Sequence, residues 1–134
     1  VHQTFPCDPA QVAVVRRWVA DVLGVAGFAR WAIADVELAL SEAVTNVMVH
    51  SGQRGDDCIR LTIDVDDERA LVVVRDGGRC FDPARYRPPP LDDLAAGGYG
   101  VFLMRAVMDG VEFVSDDTGN ELRMWKRRTP AGDG

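Results

Sequence analysis

The stretch Leu38-Ala39-Leu40-Ser41-Glu42-Ala43-Val44-Thr45-Asn46 sets a carboxylate and an amide, Glu42 and Asn46, four residues apart in a helical pattern with an apolar stripe. That pattern runs from about Trp31 to His50, with Ile33, Val36, Leu40, Val44 and Val47 as a core-facing stripe, and Ser51-Gly52 stops it. Glu42, Asn46 and His50 recur at intervals of four, so they share one helix face. The Asn46 amide oxygen is a suitable ligand for Mg²⁺, and Glu42 can accept a proton from an attacking hydroxyl or water. Taken alone, the pair also reads as the solvated stripe of an amphipathic helix. His50 reads as a helix-end histidine favoured by the macrodipole.

Two later fragments change the weight of the first. Asp76 follows the apolar run Leu71 to Val74 and precedes Gly77-Gly78, so a ligand can approach the end of that strand closely. An ionised carboxylate only accepts hydrogen bonds, so it suits the exocyclic amine of adenine and repels the carbonyl oxygen of guanine. An ordinary Asp-Gly turn is the other account. Gly97-Gly98-Tyr99-Gly100 then opens a short apolar helix, Val101-Phe102-Leu103-Met104-Arg105, where bare backbone N–H groups make an anion site. Arg105, about one turn in, either reaches a terminal phosphate or is a surface arginine. In this order the three fragments describe an ATP pocket. There is no G-x-x-x-x-G-K-[ST] loop and no strand–G-x-G-x-x-G–helix unit.

The rest of the chain supplies a frame for these pieces. Val1 to Phe5 can form an edge strand, and Asp8-Pro9 reads as an N-cap with proline in the first turn. Val12, Val15, Trp18, Val19 and Val22 follow at helical spacing until Gly24 and Gly27. Ile59, Leu61, Ile63 and Val65 alternate with polar residues, and Asp66-Asp67-Glu68-Arg69 turns the chain into a second strand, Leu71 to Arg75. Residues 82–98 hold Pro83, Pro88, Pro89, Pro90 and Gly97-Gly98, which suits a loop or lid. Strands at Val111 to Val114 and Glu121 to Lys126 are joined across Asp116-Asp117-Thr118-Gly119. The expected fold is α+β, a two-layer sandwich with a mixed, mostly antiparallel sheet and helices on one face.

With 134 residues, 47% apolar and 27% charged, the chain is one domain, read as 1–128 with a frayed tail at 129–134. A formal charge of -6 argues against a polyanion binder, so no direct nucleic-acid contact is expected. No apolar run approaches the ~18 residues that span a bilayer and no signal pattern opens the chain, so a cytoplasmic protein without membrane contact is expected. Cys7, Cys58 and Cys80 form no C-x-x-C pair, and His2 and His50 do not complete a zinc set.

Leu38 to Asn46, Asp76-Gly77-Gly78 and Gly98-Tyr99-Gly100-Val101-Phe102-Leu103-Met104-Arg105 resemble the N, G1 and G2 boxes of the GHKL ATPase and kinase superfamily. More closely they look like bacterial anti-sigma-factor serine/threonine kinases of the RsbW/SpoIIAB type. The resemblance covers nearly the whole chain. It implies a Bergerat-type sandwich in which Glu42 is the catalytic base and Asn46 binds Mg²⁺. It implies also that Asp76 recognises adenine with Gly78 beside it, that Gly98 and Gly100 border the phosphates of ATP, and that residues 83–97 form the lid. Cys80 stands where the D-x-G-x-G pattern has its second glycine, and Asn120 where many relatives have threonine. The implied activity is phosphoryl transfer to a serine or threonine of a STAS-type anti-anti-sigma partner, with sequestration of a sigma factor and homodimerisation. Two other readings are an ATP-binding regulator that sequesters a partner without transfer, and a detached histidine-kinase catalytic domain. The short lid and the lack of an upstream phosphoacceptor helix speak against the last.

Overall fold

A computed structural model describes residues 1–50, 59–76, 99–116 and 119–129, leaving aside the side chains of residues 49, 50, 76, 99, 115 and 116. Strand β1 (His2–Phe5) leads into helices α1 (Gln11–Val25) and α2 (Arg30–His50). Then come β2 (Ile59–Val65), β3 (Arg69–Asp76), helix α3 (Tyr99–Val107), β4 (Gly110–Asp116) and β5 (Gly119–Arg127). The expected stop at Ser51-Gly52, the lid at 83–97, the departure at Cys80 and residues 130–134 of the tail lie outside the described residues.

The five strands form one sheet in the order β1-β2-β3-β5-β4, and each described pairing is antiparallel. Its register explains why one face is apolar. Leu61 pairs with Val74 and Ile63 with Val72, while Val72 pairs with Met124 and Val74 with Leu122. All six of these side chains are buried and point the same way, as the period of two requires. Arg60, Thr62, Arg75, Arg123 and Trp125 occupy the alternate positions, on the face that no described helix covers. There Glu121 joins Arg75 at 3.1 Å and Arg123 at 2.6 Å.

The helices bury the stripes expected of them. Val36, Leu40 and Val44 of α2 are fully buried, with Ile33 and Val47 packed at the ends of the row. Val15, Val19 and Leu23 do the same for α1, and its Trp18 ring meets Phe5 of β1 edge-on at 5.6 Å. At about 25 cal/mol per Å² of apolar surface removed from water, this shared core is what holds the helices to the sheet.

The start of α1 differs from expectation. Asp8 Oδ1 accepts from the Ala10 N–H at 3.0 Å and the Asp8 carbonyl from Gln11 at 2.8 Å, which closes a separate tight turn. Regular helix therefore begins two residues after Pro9, at Gln11, with Ala10 as its N-cap. The end follows the glycine reading. Gly27 adopts φ 87°, its N–H donates to the Gly24 carbonyl, and Phe28 donates to Leu23, so the last carbonyls of α1 are satisfied. Arg128 locks that corner to the sheet, donating to the Ala26 carbonyl at 2.8 Å and the Asp66 carbonyl at 3.1 Å. No helix of the described residues is long and apolar enough to cross a membrane.

Candidate nucleotide site

Glu42 and Asn46 lie one turn apart on α2, both partly buried, on the flank that faces α3 rather than the sheet. Helix α3 is nine residues long, and Gly100, its second residue, is buried against that flank. A Cβ placed on Gly100 would stand 3.0 Å from Glu42 Oε2, 3.4 Å from Asn46 Nδ2 and 3.5 Å from Asn46 Oδ1. Glycine at this helix start lets the backbone come close to both groups without displacing either side chain. The first N–H groups of a helix have no partner within it, so the macrodipole's positive end and a hard amide oxygen are brought side by side.

Asp76 is the last residue of β3, and its backbone pairs with Ile59, the residue at which the chain returns from α2. Arg75 pairs with Glu121, so Asn120 stands one residue further along β5, at the level of Asp76. Arg105 is exposed in the last turn of α3. Five residues carry it ~140° around the axis from Gly100, so the helix does not bring it to the Glu42 flank. A cation in that turn also complements the helix C-terminus. Gly78 and Gly98 lie outside the described residues, as does the side chain of Asp76.

Among the described residues, no three histidine, cysteine, aspartate or glutamate side chains gather as a metal set. The chemistry of the donors nevertheless suits Mg²⁺ held by one protein oxygen and by substrate phosphates. An open cleft of about 810 Å³, lined by Asp66, Glu68, Arg69, Trp125 and Arg127 among others, is at the opposite end of β3 from Asp76 and contains none of these residues. Sequence reasoning passed over Lys126. Its signal was a charge in the period-two row Leu122, Met124, Lys126, and it is buried among the helix-facing side chains.

Comparison with known proteins identifies the family and the fold. Residues 5–126 match the family model of the histidine kinase-like ATPase domain. The chain belongs to that family. Within it, the chain is similar to the serine-protein kinase RsbW of Halalkalibacterium halodurans, 32% identical over 94% of this chain and 82% of that protein. It is similar also to the serine-protein kinase RsbW of Bacillus pumilus, at 30% identity over 94% and 84%. Among solved structures, that of the RsbU and RsbW domains of Rv1364c from Mycobacterium tuberculosis superimposes with a TM-score of 0.72 over 95% of this chain. At 19% identity that likeness speaks for the fold, and the chain spans 32% of the length of that larger one.

Proposed function

We propose that this chain is an ATP-dependent serine/threonine protein kinase that acts as an anti-sigma factor. The observation that carries the reading is the close approach of Gly100 to both Glu42 and Asn46. It joins a base, a metal ligand and a phosphate-binding helix start, which phosphoryl transfer requires together. Kinship with proteins named serine-protein kinases supports the choice of reaction.

Asp76, with Gly78 beside it, holds the adenine end of ATP. Gly98 and Gly100 border the phosphates, and Asn46 supplies Oδ1 to Mg²⁺. When bound, the metal neutralises charge on the phosphate oxygens. Glu42 accepts the proton of the attacking hydroxyl as its oxygen bonds to the γ-phosphorus and the bond to the β-phosphate oxygen breaks, leaving ADP. The acceptor is a serine or threonine of a STAS-type anti-anti-sigma protein, and the unmodified partner competes with a sigma factor in the cytoplasm. Two copies pair to form the working unit.

The test follows labelled phosphate onto STAS proteins beside ATP affinity by calorimetry. Glu42→Gln should bind ATP normally while transfer falls about a hundredfold, the scale of lost acid–base assistance. Asn46→Ala should lose Mg-ATP binding and transfer together. Wild-type protein that binds Mg-ATP and labels no partner would instead identify a sequestering regulator.

A further inference from the structure

Lys126 is the one charged side chain buried among the described residues, at 6% exposed. Its Nζ lies 2.8 Å from Asp35 Oδ2, donates to the Val107 carbonyl at 2.5 Å, and stands 5.1 Å from the centre of the Trp31 ring. Taking an ammonium group out of water largely cancels what such contacts return, so stability alone is a poor account of this lysine. What sets it apart is the set of elements it joins: β5, through its own backbone; α2, through Asp35; and the last residue of α3, Val107.

Helices α2 and α3 thus meet at two rungs. One is the Asp35–Lys126–Val107 junction, and the other is Gly100 against Glu42 and Asn46. Asp35 and Glu42 are seven positions apart, and so are Gly100 and Val107. At about 1.5 Å per residue each leg is ~10.5 Å, so two antiparallel helices are pinned by rungs of matching spacing. A slide of α3 by one residue, ~1.5 Å, would draw the Val107 carbonyl from Lys126 and the Gly100 backbone from Asn46.

We propose that Lys126 and Asp35 are positioning residues for nucleotide binding. They touch no substrate. They fix the register of α3 on α2 and thereby hold the phosphate-binding helix start against Asn46 and Glu42. This rests on the nucleotide reading given above.

The experiment measures ATP and AMP affinity by calorimetry, with thermal unfolding, for wild type, Lys126→Met, Asp35→Asn, their double variant and Asp35→Glu. ATP affinity should fall about tenfold or more in the first two, the scale that a misplacement of about 1 Å can carry. AMP, held mainly at the Asp76 end, should lose less than about twofold. The double variant should be no weaker than the weaker single one, because both remove one junction. Asp35→Glu should recover most of the affinity. Folded variants with wild-type ATP affinity would overturn the proposal, and so would parallel losses for ATP and AMP, which indicate general loosening. Should Lys126→Met fail to fold, Asp35→Asn decides alone, since the Asp35 side chain is 33% exposed. Wild-type protein that binds neither nucleotide would overturn the nucleotide reading itself, and this proposal with it.

Discussion

A methyl group at position 100 would press on Glu42 Oε2, the far end of a flexible side chain, rather than on backbone. The carboxylate can swing aside, so Gly100→Ala should fold, and alanine's better helix propensity offsets the crowding. We expect a midpoint of thermal unfolding equal to or slightly above wild type, while phosphoryl transfer falls about tenfold or more because the proposed base is displaced. Calorimetric scanning beside the transfer assay checks this, and full activity would show that the position of Glu42 is not critical. At this scale the sequence is informative about identity and poor about company. Glu42 and Asn46 stand out through their spacing of four, and Gly100 through its place at a helix start. That Gly100 meets them depends on how α3 packs across α2, which no local pattern encodes. Lys126 shows the same limit, because its partners Asp35 and Val107 are 91 and 19 positions away.

The β2–β3 hairpin shows what a single element contributes. Asp66 Oδ1 accepts from the Glu68 and Arg69 N–H groups at 2.8 and 2.9 Å, and these two backbone donors hold its carboxyl below the usual aspartate range. A depressed folded-state pKa means the charge contributes stability above the unfolded value of about 3.9, and loses it as pH falls through the lower folded value. Asp66→Asn keeps an acceptor oxygen but not the charge. Wild type should therefore exceed Asp66→Asn in urea midpoint near neutral pH, and the two curves should converge in acid. A gap that stays constant from about pH 7 to pH 2 would remove the charge from the explanation. The hairpin itself is legible because alternation and a polar turn are local signals. The start of α1 is less so, since Asp8-Pro9 satisfies the rules for an N-cap while its own hydrogen bonds close a turn ahead of the helix.

At the scale of the whole molecule, Glu42 and Asn46 precede the β2–β3 hairpin, Asp76 ends it, and Gly100 precedes the β4–β5 hairpin. The proposed pocket can exist only once these units have docked. A ligand that recognises only the completed arrangement stabilises the native state without stabilising an earlier transition state. Saturating Mg-ATP should thus slow unfolding about in proportion to its binding while leaving the refolding rate nearly unchanged. Stopped-flow unfolding and refolding with and without nucleotide would test this, and faster refolding would mean that the site forms early. The layered α+β arrangement follows from the periodicities, because one apolar face per element admits few solutions. The placement of β5 between β3 and β4 does not, since hairpin rules give β4 and β5 as neighbours and are silent on which of them joins β3.

That placement makes the last-synthesised of the described strands a seam rather than a border. Until Gly119–Arg127 has left the ribosome, β3 and β4 both present rows of unpaired backbone groups, one of them beside the apolar run Leu71 to Val74. Such edges are templates for pairing with another chain. A chain that stops short of β5 therefore leaves both of its would-be neighbours open to pairing with other chains, and the cost of losing this one strand is borne by two.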